Sequence, residues 1–387
     1  MDRADTIVVG LGGAGASAAF HLARRGRSVI GLERFGPTHE QGSSHGRTRI
    51  YRTTYFEGAA YVPLVQRAQE LWRELQAGSR APILRPTGGL VLGAPDSPSV
   101  AGALKVAREC RLEHEFLDAI QVERRFPQFR LDAGEVAVWD PNAGALFPEN
   151  CVLAHAAGAR AAGATLRYDE PLVSWSASSE GVEVSTARSV YRGHYLVLSV
   201  GAWTRETVTD LRLPLEIERQ FMLWFPPTDA EAVRPERMPV FVWDRGPEEH
   251  TYGLPDFGDG VKLGTWSGRI STSPGQVDRT FTAAEADPVR RFVAQRLRGV
   301  RPEETHHTSC LYTNTPDHHF VLGRHPRHKN VVVVSACSGH GFKFTSVIGE
   351  VVDRLVGGED PGFDLSAFDP GRFEGSAGRT PGEANVR

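Results

Sequence analysis

Three glycines near the start of the chain have the spacing of a phosphate-binding turn. Gly10, Gly12 and Gly15 form G-x-G-x-x-G directly after the β-branched run at residues 7–9, which is typical of a buried parallel strand. The first glycine permits a tight turn and the second lets a pyrophosphate approach the backbone. The third lets the following helix pack closely on the strand, so the pattern predicts a dinucleotide site.

An acidic residue ends the strand that follows. The glycine turn leads into a predicted helix at 14–24 with small residues on one face, and then into a predicted strand at 28–32 that closes with Glu33. A carboxylate there accepts hydrogen bonds from ribose hydroxyls and disfavours a 2′-phosphate. This order favours a βαβ unit that binds a dinucleotide over one that binds nothing, and it leaves FAD and NAD both open.

A polar, glycine-rich segment at 35–58 comes next and carries concentrated positive charge. His45, Arg47, Arg49 and Arg52 fall within it, and its composition is too polar for a core. Two interpretations are open. It is either a solvated basic loop or a segment that lies on the cofactor and offers cations to an anion.

Composition limits the classes of function. The chain has 387 residues, 40% of them hydrophobic, and a formal net charge of −3. That length favours two domains or one large discontinuous domain. No basic patch suggests a nucleic acid partner, and no apolar run could span a membrane.

The four cysteines are widely spaced and form neither a C-x-x-C pair nor a zinc pattern. We therefore expect reduced thiols and no metal site. The first strand begins so early that no room is left for a signal peptide, which predicts a cytoplasmic protein.

The order of elements predicts an α/β fold of mixed α+β character. A discontinuous Rossmann-like domain would consist of 1–82, 145–213 and 310–370, and an antiparallel-sheet substrate domain of 83–144 and 214–309. Within them we predict one strand at 84–92, an antiparallel meander from 165 to 192, and a separate strand at 195–200. The glycine-rich tail at 371–387 is predicted to be flexible.

Longer motifs carry a resemblance to a known family. They are GSSHGRTRIYR, FEGAAYVPLVQRAQELW, CLYTNTPDHHF and SGHGFKFTSVIGE, which begin at residues 42, 56, 310 and 338. With these motifs the chain resembles the monomeric sarcosine oxidase and N-methyl-L-tryptophan oxidase family, within the D-amino-acid-oxidase superfamily. The resemblance covers nearly the whole chain except the tail. It implies FAD as cofactor, a monomer, and an amino acid and O2 as the small-molecule partners.

Cys310 begins one of these motifs. Most free cysteines are small buried hydrophobes, but in the family the cysteine at this position bonds covalently to the 8α carbon of FAD. That chemistry needs a thiolate and therefore nearby cations, for which Arg49 and His45 are the candidates.

Arg52 and Lys343 correspond to the pair that binds the substrate carboxylate in the family. A guanidinium can bind a carboxylate through two hydrogen bonds, and an ammonium adds a second charge. Lys262 corresponds to the lysine that promotes oxygen reduction, where a cation stabilises developing negative charge. Taken singly, each could be an ordinary surface cation.

The resemblance assigns roles to further residues. The catalytic set is Lys262, Arg49, His45 and Tyr252. Substrate contacts fall to Arg52, Lys343, Tyr55, Tyr312, Trp266 and Trp243, although core packing is the alternative for the tyrosines. Cofactor contacts fall to Gly10, Gly12, Gly15, Glu33, Arg34, Ser44, Thr48, Cys310, Gly339, Gly341, Phe342 and Lys343.

The chain also departs from the sarcosine-specific pattern. Trp266 stands where those enzymes have a histidine, Arg47 replaces a common aspartate, and Trp243 lies in a region that is otherwise aliphatic. These changes leave the flavin chemistry intact but widen the expected substrate to an N-methyl or cyclic α-amino acid.

Three other functions stay open. They are a dehydrogenase that uses another electron acceptor, a biosynthetic oxidase of cyclic amines, and an inert flavin-binding protein.

Overall fold

A computed structural model describes residues 2–246, 249–266, 268–271 and 273–374, and it confirms the mixed α/β class. The strands are β1 (Asp2–Val9), β2 (Val29–Leu32), β3 (Arg49–Tyr51), β4 (Leu84–Pro86), β5 (Gly89–Gly93), β6 (Glu115–Asp118), β7 (Val136–Asp140), β8 (Gly144–Leu146), β9 (Thr165–Arg167), β10 (Leu172–Ser178), β11 (Gly181–Thr186), β12 (Val190–Leu198), β13 (Glu216–Phe225), β14 (Val240–Asp244), β15 (His250–Leu254), β16 (Val261–Thr265), β17 (Arg269–Ser271), β18 (His306–Asn314), β19 (Val321–His325) and β20 (His328–Ser335). The helices are α1 (Gly13–Arg24), α2 (Val62–Ala77), α3 (Pro98–Glu109), α4 (Ala119–Arg125), α5 (Pro148–Ala161), α6 (Thr204–Thr207), α7 (Ala283–Arg296) and α8 (Thr345–Gly357).

The first sheet has β1 near its centre. Its strand order is β10-β11-β12-β1-β2-β9, and β20 pairs with both β12 and β19. β1 runs parallel to its two neighbours, with Val8 opposite Val197 in β12 and Gly31 in β2. The carboxyl ends of these parallel strands therefore meet at one edge, which is where folds of this type bind ligands.

Helix α1 connects β1 to β2 and completes the predicted βαβ unit. Gly10 has φ 88°, a conformation that favours glycine. A Cβ added to Gly15 would lie 1.8 Å from the carbonyl oxygen of Gly10, so a side chain there would force the helix away from the turn. The helix packs against α5 and α8 and buries Ala18, Ala19 and Leu22.

The second sheet has the order β17-β13-β16-β15-β14-β5-β7-β6, with β18 antiparallel to β13. Alternate residues of its strands point to opposite faces. One face packs against α7 in a cluster that includes Phe241, Leu263 and Phe292. The other face is turned toward the first sheet. A small third sheet, β3-β8-β4, lies beside these two.

The predicted division into domains stays a prediction. β18 crosses the predicted boundary at residue 310 and belongs to the second sheet along its length, so Cys310 is presented from that sheet. At the end of the chain, a 3-10 helix covers Pro370–Phe373, and residues 375–387 of the predicted flexible tail lie outside the described residues. No helix in the described part of the chain is long and apolar enough to cross a membrane.

Three strand predictions were wrong. The predicted strand at 84–92 is two strands, β4 and β5, which separate at Gly88 (φ 68°) and join different sheets. The predicted meander holds for β10–β12, but β9 pairs with β2 in parallel instead. The strands predicted at 190–192 and 195–200 form one continuous strand, β12.

Trp243 is placed away from the substrate side of its sheet. Its side chain is fully buried, its ring contacts Phe129 and Phe292, and its Nε1 donates to Oε1 of Glu135 at 2.9 Å. We therefore withdraw its assignment as a substrate-binding residue. Strand alternation is the physical reason, because the neighbouring Val242 points to the opposite face.

This placement predicts a large effect on stability. Trp243→Ala should lower the free energy of unfolding by about 3–5 kcal/mol, since it leaves a cavity in a packed core. Trp266→Ala makes the same chemical change at a partly exposed position and should cost less. Urea denaturation of both variants measures the difference, and equal losses would contradict the core assignment.

Candidate functional site

A cavity of about 600 Å³ runs between the first and second sheets. Its lining includes the glycine turn and Glu33 as well as Cys310 and Lys343. The predicted site residues that line it are Gly10, Gly12, Glu33, Arg34, Ser44, Thr48, Arg49, Arg52, Tyr252, Trp266, Cys310, Tyr312, Gly339, Gly341, Phe342 and Lys343. Gly15, His45, Tyr55, Trp243 and Lys262 are not among the lining residues.

The part of the cavity around Glu33 has the features of a nucleotide site. The carboxylate is 6% exposed and accepts hydrogen bonds from Leu11 N at 2.7 Å and from Phe35 N at 3.1 Å. The guanidinium carbon of Arg34 lies 5.5 Å from the ring centres of both Phe35 and Trp203. A fixed carboxylate beside aromatic surface fits a ribose and an adenine.

Backbone turns from two parts of the chain face the middle of the cavity. Gly12 precedes helix α1 and has no side chain to cap it, and Gly13 N donates to Oγ of Ser44 at 3.0 Å. After β20, a Cβ on Gly341 would lie 1.9 Å from the carbonyl oxygen of Ala336. Backbone N–H groups at a helix N-terminus bind phosphates, so these residues fit a dinucleotide such as FAD.

Cys310 lies in the cavity wall and is 2% exposed. Burial raises the pKa of its thiol, while the positive charges of Arg49, Lys262 and Arg279 act in the opposite direction. Burial also lowers the pKa of His45 to about 3, so its ring is neutral. His45 therefore cannot supply the positive charge that the sequence assigned to it, and Arg279 is a cation that the sequence did not reveal.

Lys262 lies directly behind the cavity wall on β16. Its Nζ donates to the carbonyl oxygens of Gly46 at 2.9 Å and Thr48 at 2.6 Å, and it lies 5.4 Å from the ring centre of Trp224. Burial lowers the pKa of Lys262 well below its usual value, and the charge of Arg49 adds to that effect. The Nζ of Lys262 thus joins the second sheet to the basic segment that leads into β3 of the third sheet.

Arg49 is also held by uncharged acceptors. Its guanidinium donates to the carbonyl oxygens of Thr48 and Ser43, both at 2.9 Å, and contacts the sulfur of Met222 at 3.3 Å. Because none of these acceptors carries a charge, its positive charge is available to the cavity.

Aromatic side chains form the wall on the second sheet. Tyr252 lies across Gly264, where a Cβ would come within 2.5 Å of the tyrosine oxygen. Burial raises the pKa of Tyr252 and Tyr312, so both hydroxyls stay protonated and can donate hydrogen bonds. The ring of Trp266 stacks on His250 at 3.9 Å, which fixes its position in the wall.

Arg52 is buried and already holds a carboxylate. Its Nη2 lies 2.5 and 2.7 Å from the two carboxylate oxygens of Glu57, and its Nη1 donates to the carbonyl oxygen of Thr54 at 3.1 Å. The guanidinium also lies over the rings of Tyr55 and Phe56. Glu57 lines the cavity, and it falls within a quoted family motif although the sequence analysis assigned it no role.

Lys343 lies in a short 3-10 helix that follows β20. Its Nζ donates to the carbonyl oxygen of His340 at 2.8 Å. The ring of His340 is fixed on both sides, since Nδ1 contacts the hydroxyl of Tyr55 and Nε2 lies 3.0 Å from the carbonyl oxygen of His318. Tyr55 thus acts behind the wall, where it supports a loop that lines the cavity.

The sequence reasoning also missed lining residues on the second sheet. Val242 and Leu254 project from the cavity side of β14 and β15. Strand alternation could have identified Val242, since Phe241 and Trp243 occupy the opposite face with the core.

One group of possible metal ligands lies elsewhere among the described residues. Asp210, His325 and His328 offer ligand atoms within 4.8 Å of one another. However, the guanidinium of Arg327 lies 2.6 Å from Oδ2 of Asp210, and its backbone N donates to Nδ1 of His325. The Nε2 of His325 lies 3.0 Å from Oδ2 of Asp210. These contacts occupy the candidate ligand atoms of Asp210 and His325, so the three residues are better described as a polar cluster than as a metal site.

Comparisons with known proteins agree with a flavin site. Residues 5–355 match the DAO family, described as FAD dependent oxidoreductase. The chain is 41% identical over 375 residues to a monomeric sarcosine oxidase of Streptomyces avermitilis, covering 95% of this chain and 97% of that protein. It is 32% identical over 372 residues to an N-methyl-L-tryptophan oxidase of Salmonella typhi, covering 95% and 99%.

Among solved structures, the open form of NikD, described as an unusual amino acid oxidase essential for nikkomycin biosynthesis, superposes with a TM-score of 0.85. It is 24% identical and covers 96% of this chain and 98% of that chain, which supports the fold alone. The family match and the relatives span nearly the whole sequence. The protein therefore belongs to the family of FAD-dependent oxidoreductases that includes monomeric sarcosine oxidase and N-methyl-L-tryptophan oxidase.

Proposed function

We propose that the protein oxidises the C–N bond of a secondary α-amino acid, either N-methyl or cyclic, to an imine, and that O2 is reduced to H2O2. The observation that carries this proposal is that one cavity is lined both by the residues that fit a dinucleotide and by two buried basic side chains, Arg52 and Lys343. FAD, when bound, supplies the two-electron oxidation. The relatives named above as sarcosine and N-methyltryptophan oxidases support the substrate class.

Arg52 and Lys343 would bind the substrate carboxylate. Both side chains are buried, so their attraction for an anion is screened less than at the surface. Without substrate, the carboxylate of Glu57 is hydrogen-bonded to the Arg52 guanidinium, and we propose that the substrate carboxylate competes with Glu57 for this guanidinium. The protonated hydroxyls of Tyr252 and Tyr312 would act as donors toward the substrate or cofactor.

Cys310 would hold FAD covalently. Its thiol lines the cavity, and the charges of Arg49, Lys262 and Arg279 favour its thiolate. The role of Arg49 and Lys262 in the reaction itself would be electrostatic, because positive charge near the reacting oxygen stabilises the negative charge that develops on it. A developing anion would in turn favour the protonated form of Lys262.

We propose that the enzyme works as a monomer in the cytoplasm with O2 as its acceptor. The name of the sarcosine oxidase relatives, monomeric, supports the first point. A biosynthetic oxidase of cyclic amines is the second candidate, and Trp266, which brings an indole to the cavity wall, favours it.

The test of the function is anaerobic bleaching of the yellow enzyme by a panel of N-methyl, cyclic and primary amino acids. Bleaching by secondary amino acids followed by rapid recovery in air supports an oxidase. Bleaching with slow recovery in air would indicate a dehydrogenase, and the absence of bleaching by any amine would indicate an inert flavin-binding protein.

Covalent attachment predicts that acid-precipitated protein stays yellow. Cys310→Ala should release its flavin into the supernatant. Cys337→Ala is a matched control, because Cys337 lines the same cavity and should keep the flavin bound. Wild-type protein that loses all its flavin on precipitation would contradict the attachment.

The proposed role of Lys262 predicts an effect on one half-reaction. Lys262→Met should slow reoxidation by O2 by about 10²–10³, the usual loss for one preorganised electrostatic contact, and should affect reduction by substrate less. Stopped-flow measurement of the two half-reactions tests this, with the exposed Lys329→Met as control. Equal losses in both would mean that the hydrogen bonds to Gly46 and Thr48 matter only for structure.

The aromatic wall predicts a preference for larger substrates. N-methylalanine, proline and pipecolate should show higher kcat/KM than sarcosine, by about fourfold for each methylene buried against the wall. Trp266→Ala should reduce that preference. Steady-state kinetics on the four substrates measure it, and a clear advantage for sarcosine would contradict the expected shape of the site.

A further inference from the structure

Lys343 is a buried amine that lacks an anionic partner of its own. Its side chain is 5% exposed, and its Nζ donates to the carbonyl oxygen of His340 at 2.8 Å. Among the described residues, no carboxylate forms an ion pair with it. A main-chain carbonyl can accept a hydrogen bond from a neutral amine as well as from an ammonium, so this contact does not require a charge on Lys343.

The neighbouring charges favour a neutral amine. Both carboxylate oxygens of Glu57 are engaged by Arg52, whose permanent charge opposes a second cation nearby. The faces of Tyr55 and Phe344 lie 5.1 and 5.5 Å from Nζ and attract a cation only weakly by comparison with the cost of burial.

The titration of the group agrees with this geometry. Burial lowers the pKa of Lys343 to about 7, the charge of Arg52 lowers it further, and Glu57 acts in the opposite direction. Burial also lowers the pKa of His340 to about 4, so that ring contributes no charge at neutral pH. Above neutral pH the site therefore holds an amine that is ready to take up a proton.

A secondary α-amino acid in solution carries the proton that the Lys343 amine lacks. In water at neutral pH it carries a carboxylate and a protonated amine, because the pKa of an alkyl ammonium lies well above 7. Loss of electrons from the C–N unit requires the lone pair of the neutral amine. The substrate must therefore lose a proton after it binds, while the lysine that faces its carboxylate lacks one.

We propose that Lys343 is neutral in the ligand-free enzyme and accepts the proton of the substrate ammonium, which makes it the cation that binds the substrate carboxylate. The N–H bond of the substrate breaks and an Nζ–H bond forms, directly or through one water, with no change in oxidation state. The nitrogen and carboxylate of an α-amino acid share one carbon, so a group that contacts the carboxylate is close to the amine. This inference rests on the proposed function and adds to Lys343 a role beyond attraction of the carboxylate.

The first test needs no ligand. The chain has four lysines, Lys105, Lys262, Lys329 and Lys343, so lysine labelled with 13C at Cε gives a small set of signals. In the FAD-loaded enzyme, the signal that disappears in Lys343→Arg should report a neutral amine above about pH 8 and an ammonium below about pH 6. A signal that stays in the ammonium form up to about pH 9 would overturn the inference.

The second test counts protons on binding. Enzyme reduced with dithionite under nitrogen cannot oxidise its ligands, and calorimetry in buffers of different ionisation enthalpy then measures proton exchange. At about pH 8.5, tetrahydrofuran-2-carboxylate has no amine and should bind with uptake of about one proton from solution. Proline should bind with uptake of about none, because its own ammonium supplies the proton to Lys343. The Lys343→Arg variant, with a permanent charge, should show no uptake with the first ligand and release of about one proton with proline.

Wild-type enzyme that takes up no proton with tetrahydrofuran-2-carboxylate and releases one with proline would contradict the proposal. If neither ligand binds, the carboxylate site of the proposed function is wrong, and the lysine titration still decides whether Lys343 is neutral. The two failures are therefore distinguishable.

Discussion

The burial of basic side chains is the constraint on which this site depends. Lys262, Lys343 and Arg52 are each almost fully inaccessible, and removing a charge from water costs several kcal/mol unless other groups compensate. The two lysines are compensated by main-chain carbonyls, and Arg52 by Glu57. A main-chain carbonyl oxygen accepts a hydrogen bond from a neutral amine as well as from an ammonium, so each lysine can take up a proton when an anion enters the cavity.

The fold meets this constraint by bringing distant segments together. Arg52 follows a strand of the small third sheet, Lys262 comes from the second sheet, and Lys343 comes from the turn after the last parallel strand of the first sheet. The hydrogen bonds of Lys262 to the segment at 46–48 connect the second sheet to the chain that leads into β3 of the third sheet. If the second sheet moved away from this segment, Lys262 Nζ and the two carbonyl oxygens would lose their hydrogen-bond partners. These contacts therefore help to hold together the cavity that we assign to both cofactor and substrate.

The parts of the site that sequence reasoning predicted are mostly local. The glycine turn, the short crossover and Glu33 fall within one βαβ unit, where spacing fixes geometry. The predictions that were wrong concern features set by tertiary structure. A shift of one residue along β14 exchanges Trp243 for Val242 at the cavity, and the pairing of β9 with β2 joins segments far apart in sequence. The charge state of His45 follows from its burial, which its position in a basic segment concealed.

The central claim is that Arg52 and Lys343 bind the carboxylate of an amino acid next to the flavin. A crystal structure of the FAD-loaded enzyme with tetrahydrofuran-2-carboxylate tests it most directly. The account predicts that the ligand carboxylate contacts both Arg52 and Lys343 and that Glu57 moves away from Arg52. A ligand bound elsewhere in the cavity, with the Arg52–Glu57 pair unchanged and Lys343 untouched, would contradict it.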